Sequence, residues 1–140
     1  MNEGENCIFC KIVNNEIPST KVYENEKVLA FLDITPINKG HVLVIPKVHS
    51  ENIYEIEDEI LSEIIKISKK LSISIKKSLN ADGINVIMNN DYDAGQRVFH
   101  AHFHIIPRYK NDGYEMWQSK TNYQDNEKIE TAEKIKSILL

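Results

Sequence analysis

A chain of 140 residues with 17 basic and 21 acidic side chains carries a formal charge of −4, with both signs mixed along its length. That length suits one domain with a core of its own. The charge pattern lacks the basic stripe of a nucleic-acid backbone binder, and no apolar run approaches the roughly 20 residues of a membrane span. The start, Met-Asn-Glu-Gly-Glu-Asn, lacks the basic-then-apolar order of a signal peptide, so a cytoplasmic protein is expected. The two cysteines, Cys7 and Cys10, form one Cys-x-x-Cys. In a reducing compartment that spacing favours metal binding or redox work over a structural disulfide.

Taken in order, residues 8–15 place Ile8, Phe9 and Ile12 at helical spacing and Pro18 ends the run. Residues 21–23 and 27–33 are β-rich stretches around Glu24-Asn25-Glu26, the pattern of an antiparallel hairpin. Residues 41–46 are apolar almost throughout, as in a strand buried on both faces. Residues 57–79 predict a long helix whose stripe is Ile60, Leu61, Ile64, Ile65, Ile67, Leu71, Ile75 and Leu79. Acidic residues lead it, Lys76-Lys77 end it, and Asn80-Ala-Asp-Gly83 stops it. A strand over 84–88, a polar loop over 89–97 with Gly95, a histidine-bearing strand over 98–108, a polar stretch to about 126 and a final helix over 127–140 complete the chain. The expectation is one α+β domain over 1–140 with a mainly antiparallel sheet, a long central helix and short terminal helices. Its core spans about 7–108 and a C-terminal extension covers 109–140.

Three of the five histidines, His100, His102 and His104, are spaced by two. On a strand they share one face, with Phe99, Ala101, Phe103 and Ile105 on the other. Such a row serves a metal or a phosphate, and taken alone it does not decide which. Imidazole is nucleophilic near neutral pH, since its unperturbed pKa is about 6.5. Attack on phosphorus would split a hard displacement into two easier ones. The middle residue, His102, is flanked on its own face and is best placed for this. His104 can donate to a non-bridging phosphate oxygen. No Walker-type glycine-rich loop is present.

The run His100-Ala-His102-Phe-His104-Ile-Ile resembles the motif of the histidine-triad nucleotide-binding family. Supporting stretches follow in that family's order: Ile8-Phe9, Glu16-Ile-Pro18, Ala30-Phe-Leu-Asp33-Ile, His41-Val-Leu-Val-Ile-Pro-Lys47, Asn89 and Gly95-Gln96. The likeness is greatest to small bacterial members allied to the purine nucleoside phosphoramidase branch. It implies a homodimeric hydrolase or nucleotidyl transferase that binds a purine nucleoside monophosphate or derivative. His102 would carry the covalent nucleotidyl group, with His104 and His41 beside the phosphate. Asp33 would hold the ribose hydroxyls, which a carboxylate can do through both oxygens. Ile8, Phe9, Ile12, Phe31, Leu32 and Ile34 would line the base pocket, and Asn89, Gln96 and Val98 would lie around the phosphate. Arg97 stands where the family commonly has Ser or Thr, near the departing group. It either favours an anionic leaving portion or is a solvated loop arginine. Dinucleoside polyphosphate hydrolysis, or a regulatory nucleotide-binding role with incidental activity, is the alternative. The C-terminal segment of the family often reaches a neighbouring subunit's site, a role open to Trp117.

The cysteines lie outside this chemistry. The galactose-1-phosphate uridylyltransferase branch binds zinc with a Cys-x-x-Cys, an intermediate histidine and the histidine two before the nucleophile. The resemblance therefore implies a structural zinc at Cys7, Cys10, His49 and His100, and no catalytic metal. The alternative is a pair of free thiols beside the sheet.

Overall fold

The computed structural model describes Gly4 and residues 6–139. The remaining N-terminal residues and residue 140, the last position of the expected final helix, lie outside the described residues. The chain runs α1 (Ile8–Val13), β1 (Lys21–Glu24), β2 (Val28–Leu32), β3 (Val42–Pro46), α2 (Asp58–Ser78), β4 (Gly83–Met88), β5 (Phe103–Arg108) and α3 (Glu127–Ile138). A short 3-10 turn, Tyr92–Ala94, interrupts the loop after β4. The strands form one sheet in the order β1-β2-β3-β5-β4, and every neighbouring pair is antiparallel. The α+β expectation and its element order hold. Among the described residues, no helix is long and apolar enough to cross a membrane.

Strand alternation divides the core into two layers. Val28, Ala30, Val42, Val44, Ala101, Phe103 and Ile105 face α2 and meet Ile64, Ile67 and Ile75. Leu29, Phe31, Leu43 and Ile45 face the other way and pack with Phe9 and Ile12 of α1. α2 opens with Asp58 and Glu59 and closes with Lys76 and Lys77, complementing its dipole. Its inward stripe is narrower than the sequence suggests. Ile65 is exposed because it lies about 100° around the helix from Ile64, and exposed Leu79 already stands at the C-cap. Before β3 the chain turns through Gly40, whose φ of +96° is open to glycine at no steric cost. A side chain there would also meet the Leu79 tip at 2.2 Å.

The histidine strand is shorter than its periodicity implies. Pairing with β3 ends at Val44 opposite Phe103, so His100 and His102 precede β5 rather than lie in it. Alternation nevertheless persists upstream. The Ala101 N–H donates to the Ser50 carbonyl at 2.7 Å, and Ala101 joins the α2 core while His100 and His102 face the other layer. Phe99 does not follow the pattern. Beyond the last ladder bond the chain bends, and Phe99 is 42% exposed.

Candidate active site and metal cluster

The α1-side layer carries two groups of titratable side chains that share one histidine run. His41 sits one residue before β3, so it points to the same side as Leu43, and the register places His104 opposite Leu43. The two rings meet there: His41 Nε2 lies 2.9 Å from His104 Nδ1. Asp33, just after β2, reaches within 3.7 Å of His41 Nε2. Its Oδ1 accepts from the Thr35 N–H and hydroxyl, which fixes the carboxylate at the turn. The His102 and His104 rings are 5.0 Å apart.

The proton positions follow from the partners. The Ile37 N–H donates to His41 Nδ1 at 3.2 Å, so that nitrogen is bare. A neutral His41 then carries its proton on Nε2 and donates it to His104 Nδ1. A neutral His104 therefore presents Nε2–H outward. His102 Nδ1 lies 2.7 Å from the His100 carbonyl, which only accepts, so Nδ1 holds the proton and Nε2 keeps a free lone pair. Burial favours these neutral forms. It lowers the pKa of His41, against the pull of Asp33, and that of His102. It takes His104 down to about 4, helped by the neighbouring His102 and His41.

The second group lies at the other end of the run. Cys7, Cys10, His49 and His100 offer four ligand atoms within 4.8 Å of one another. Cys7 Sγ is 3.3 Å and Cys10 Sγ 3.5 Å from His100 Nδ1, and Cys10 Sγ is 3.3 Å from His49 Nδ1. His100 Nε2 lies 2.8 Å from the Pro46 carbonyl, so it bears the proton and Nδ1 turns its lone pair to the sulfurs. Burial takes the His100 pKa down to about 4. Burial, then the hydrogen bond to Cys7, pushes the Cys10 thiol up to about 12. A tetrahedral ion with bonds of about 2.0–2.3 Å places its ligands about 3.3–3.8 Å apart, which the sulfur–nitrogen spacings match.

The residues expected around a base divide. Phe9, Ile12 and Phe31 are buried together, with the Phe9 ring 5.2 Å from His102. Leu32 is parted from them: as the next residue on β2 it faces α2. Ile34 is 94% exposed beside Asp33, and Ile8 is exposed on α1. The Gln96 side chain is fully buried and spent on the backbone. Its Nε2 donates to the Glu51 and Val98 carbonyls, and its Oε1 accepts from the Asp91 N–H. It staples the loop after β4 and leaves no free polar atom for a ligand. Arg97 folds back on that loop. It donates to the Tyr92 carbonyl at 2.9 Å and stacks 4.4 Å from the Tyr92 ring. With Val98, Ile8 and His49 it lines a cavity of about 420 Å³ beside the cysteine cluster.

A larger cavity of about 610 Å³ opens beside His41, His104 and Asn89. Its remaining lining includes Ile87 and Ile106 from the sheet and Tyr114, Glu115, Met116 and Trp117 from the segment after β5. Of this wall the sequence singled out only Trp117, and for a neighbouring subunit's site rather than this chain's own cavity. Sequence reasoning missed the Ile37 amide and the Pro46 and His100 carbonyls that set the tautomers, because backbone donors and acceptors leave no mark in residue identity.

The chain is similar to known proteins in sequence and fold. A HIT domain profile matches residues 14–111. The "Protein hit" of Bacillus subtilis is 48% identical over 139 residues, spanning 98% of this chain and 94% of that protein. An adenosine 5'-monophosphoramidase of Candida albicans is 47% identical over 112 residues, 77% of this chain and 74% of its own. The crystal structure of a HIT family member from Bacillus subtilis superposes with a TM-score of 0.90 at 44% identity, covering 96% of this chain and 98% of that one. A zinc-bound histidine triad family protein from Mycobacterium smegmatis gives a TM-score of 0.76 at 33% identity, with 84% and 86% covered. With the family's domain matched over most of its length and close relatives along nearly all of it, this chain belongs to the HIT domain family.

Proposed function

We propose that the protein is a nucleotide-binding hydrolase that cleaves nucleoside 5'-phosphoramidates through a nucleotidyl group carried on His102. The observation that carries this reading is the His102 tautomer. Its Nδ1–H is held by the His100 carbonyl, and its buried neutral ring keeps the Nε2 lone pair free. Nε2 attacks phosphorus, the bond from phosphorus to the leaving nitrogen breaks, and the departing amine takes a proton from water. A second water then attacks the phosphorus of the adduct, releases the nucleoside monophosphate and restores His102. His104 Nε2–H stabilises charge on the non-bridging oxygens. Its orientation comes through His41 from the Ile37 amide. Asp33 binds the ribose, Phe9, Ile12 and Phe31 pack the base, and Asn89 and the backbone near Val98 serve the phosphate.

The phosphoramidase activity of the Candida albicans relative supports this substrate class. The large cavity beside His104 supports it over a phosphate-chain leaving group. That cavity is lined by Glu115 and by no Lys or Arg, while Arg97 lines the other cavity and is drawn onto Tyr92. Cys7, Cys10, His49 and His100 would hold a structural zinc that ties α1 to the histidine run. The donor spacing and the zinc-bound Mycobacterium relative support this. A homodimer is supported by β4, an apolar strand at the sheet edge with Val86 exposed.

Incubation with adenosine and guanosine phosphoramidates and with a diadenosine polyphosphate, followed by acid quench and mass analysis, tests the reading. Phosphoramidate turnover with a nucleotidyl adduct on His102 is expected. Turnover that survives His102→Ala overturns it, and a preference for the polyphosphate moves the reading to that class.

A further inference from the structure

The geometry points to the Arg108–Asp112 pair as a positioning device that holds residues 114–117 in place as the wall of the leaving-group subsite. The inference rests on His102 and His104 as the reacting centre. Between β5 and α3 the chain has no regular structure, yet part of it walls the cavity beside His104. Every hydrogen bond described for residues 114–117 runs to Arg108 or Asp112. Arg108 donates to the Tyr114 carbonyl at 2.5 Å and to Met116 Sδ at 3.4 Å, and the Tyr114 N–H donates to Asp112 Oδ1 at 3.2 Å. The Tyr114 ring also stacks 4.7 Å from the guanidinium.

The clamp is anchored on the rigid side by the sheet. Arg108 ends β5, grips Asp112 through Nε at 2.7 Å and Nη2 at 2.8 Å, and donates to Asn85 of β4 at 2.7 Å. A two-pronged guanidinium–carboxylate pair fixes orientation as well as distance. Asp112 reaches further, accepting from Asn38 Nδ2 at 3.0 Å, and Asn38 also donates to the Pro107 carbonyl at 2.8 Å. Asn38 follows Ile37, whose amide orients His41. One ion pair therefore joins the cavity's irregular wall to its sheet floor and to Asn38. Neither residue lines the cavity itself: they act through Tyr114 and Met116, and Trp117 is the next residue along the chain.

Trp117 is the sole tryptophan of the chain, so its fluorescence reports the wall directly. Trp117 is 83% exposed, so its mobility rather than its accessibility is the readout: in Asp112→Asn and Arg108→Gln, its anisotropy should fall. Turnover of a phosphoramidate with an aromatic amine should lose roughly tenfold in kcat/KM, largely through KM, because a misplaced wall costs orientation. The unsubstituted phosphoramidate, whose leaving group is ammonia, should change by less than about twofold, since it makes no use of the wall. Asp112→Glu, which keeps the charge, should recover part of both signals. Unchanged Trp117 signals overturn the inference. So does an equal loss on both substrates with a matching fall in Tm, which marks a merely structural pair. Should the unmutated protein turn over neither substrate, the hydrolase reading falls while the Trp117 measurement still decides the clamp.

Discussion

The two ends of the histidine run contain nearly the same chemistry and differ in what the backbone does to it. Cys7, Cys10, His49 and His100 form one cluster; Asp33, His41 and His104 form another, also close enough to suggest a metal. The backbone separates them. At His100 a carbonyl takes the proton of Nε2, which leaves Nδ1 bare toward two thiols. At His41 an amide occupies Nδ1, which drives the proton to Nε2, the atom a metal would need. The first arrangement suits an ion with a carbonyl in support of its histidine. The second is a proton-defined hydrogen-bond chain that ends in a donor at His104. In both rings Nε2 carries the proton, but the bare Nδ1 faces thiols at His100 and an amide at His41.

The comparison breaks most visibly at His102, which lies between the clusters. His102→Ala should lower kcat by at least about 10³-fold while a nucleoside monophosphate still binds, measured by steady-state kinetics and calorimetry. Replacing His104 with Ala should cost about 10²–10³-fold in kcat, as loss of one preorganised donor does elsewhere. Metal analysis sharpens the difference between the ends. Purified protein should hold about one zinc per chain, lost in Cys10→Ser together with several degrees of Tm, and unchanged in Asp33→Asn. Two equivalents, or loss on changing Asp33, would make both clusters metal sites.

Acid titration separates the groups further. His104 titrates near 4 in the fold against about 6.5 in an unfolded chain. Between these values the unfolded state binds the proton and the native state does not. The stability tied to this group is therefore complete above about pH 6.5 and is lost as pH falls through about 4. Tm followed from pH 7 to 4 should decline, and His104→Asn should flatten the decline. The acid limb of kcat/KM should likewise lie below 6.5, because burial depresses His102. The smallest effect is expected at the turn before His41. Gly40→Ala should cost about 1–2 kcal/mol in denaturant unfolding, since φ is positive there and Leu79 must move.

Much of this was legible without coordinates. The hairpin, the two-face burial of β3, the long helix and the order of elements follow from periodicity. The alternating side of each histidine follows from a strand's period of two, which persists even where the ladder stops. Spacing and resemblance single out the four residues of the cysteine cluster, and in the fold their side chains lie together. Other expectations were too coarse. Phe31 and Leu32 are adjacent on one strand and so cannot line the same pocket. Gln96 is read as a ligand group by identity but is consumed by backbone partners. Arg97 offers charge by identity but is drawn onto Tyr92.

By itself, the sequence determined the residue types, their faces and the pairing of a thiol cluster with a histidine run. Those properties depend on local geometry and side-chain chemistry. Tertiary structure alone decided which nitrogen of each imidazole is free, because that depends on a carbonyl or amide delivered from a distant part of the chain. It also decided that residues 114–117 wall the cavity, because an irregular segment has no periodicity to read and is located by Arg108 and Asp112.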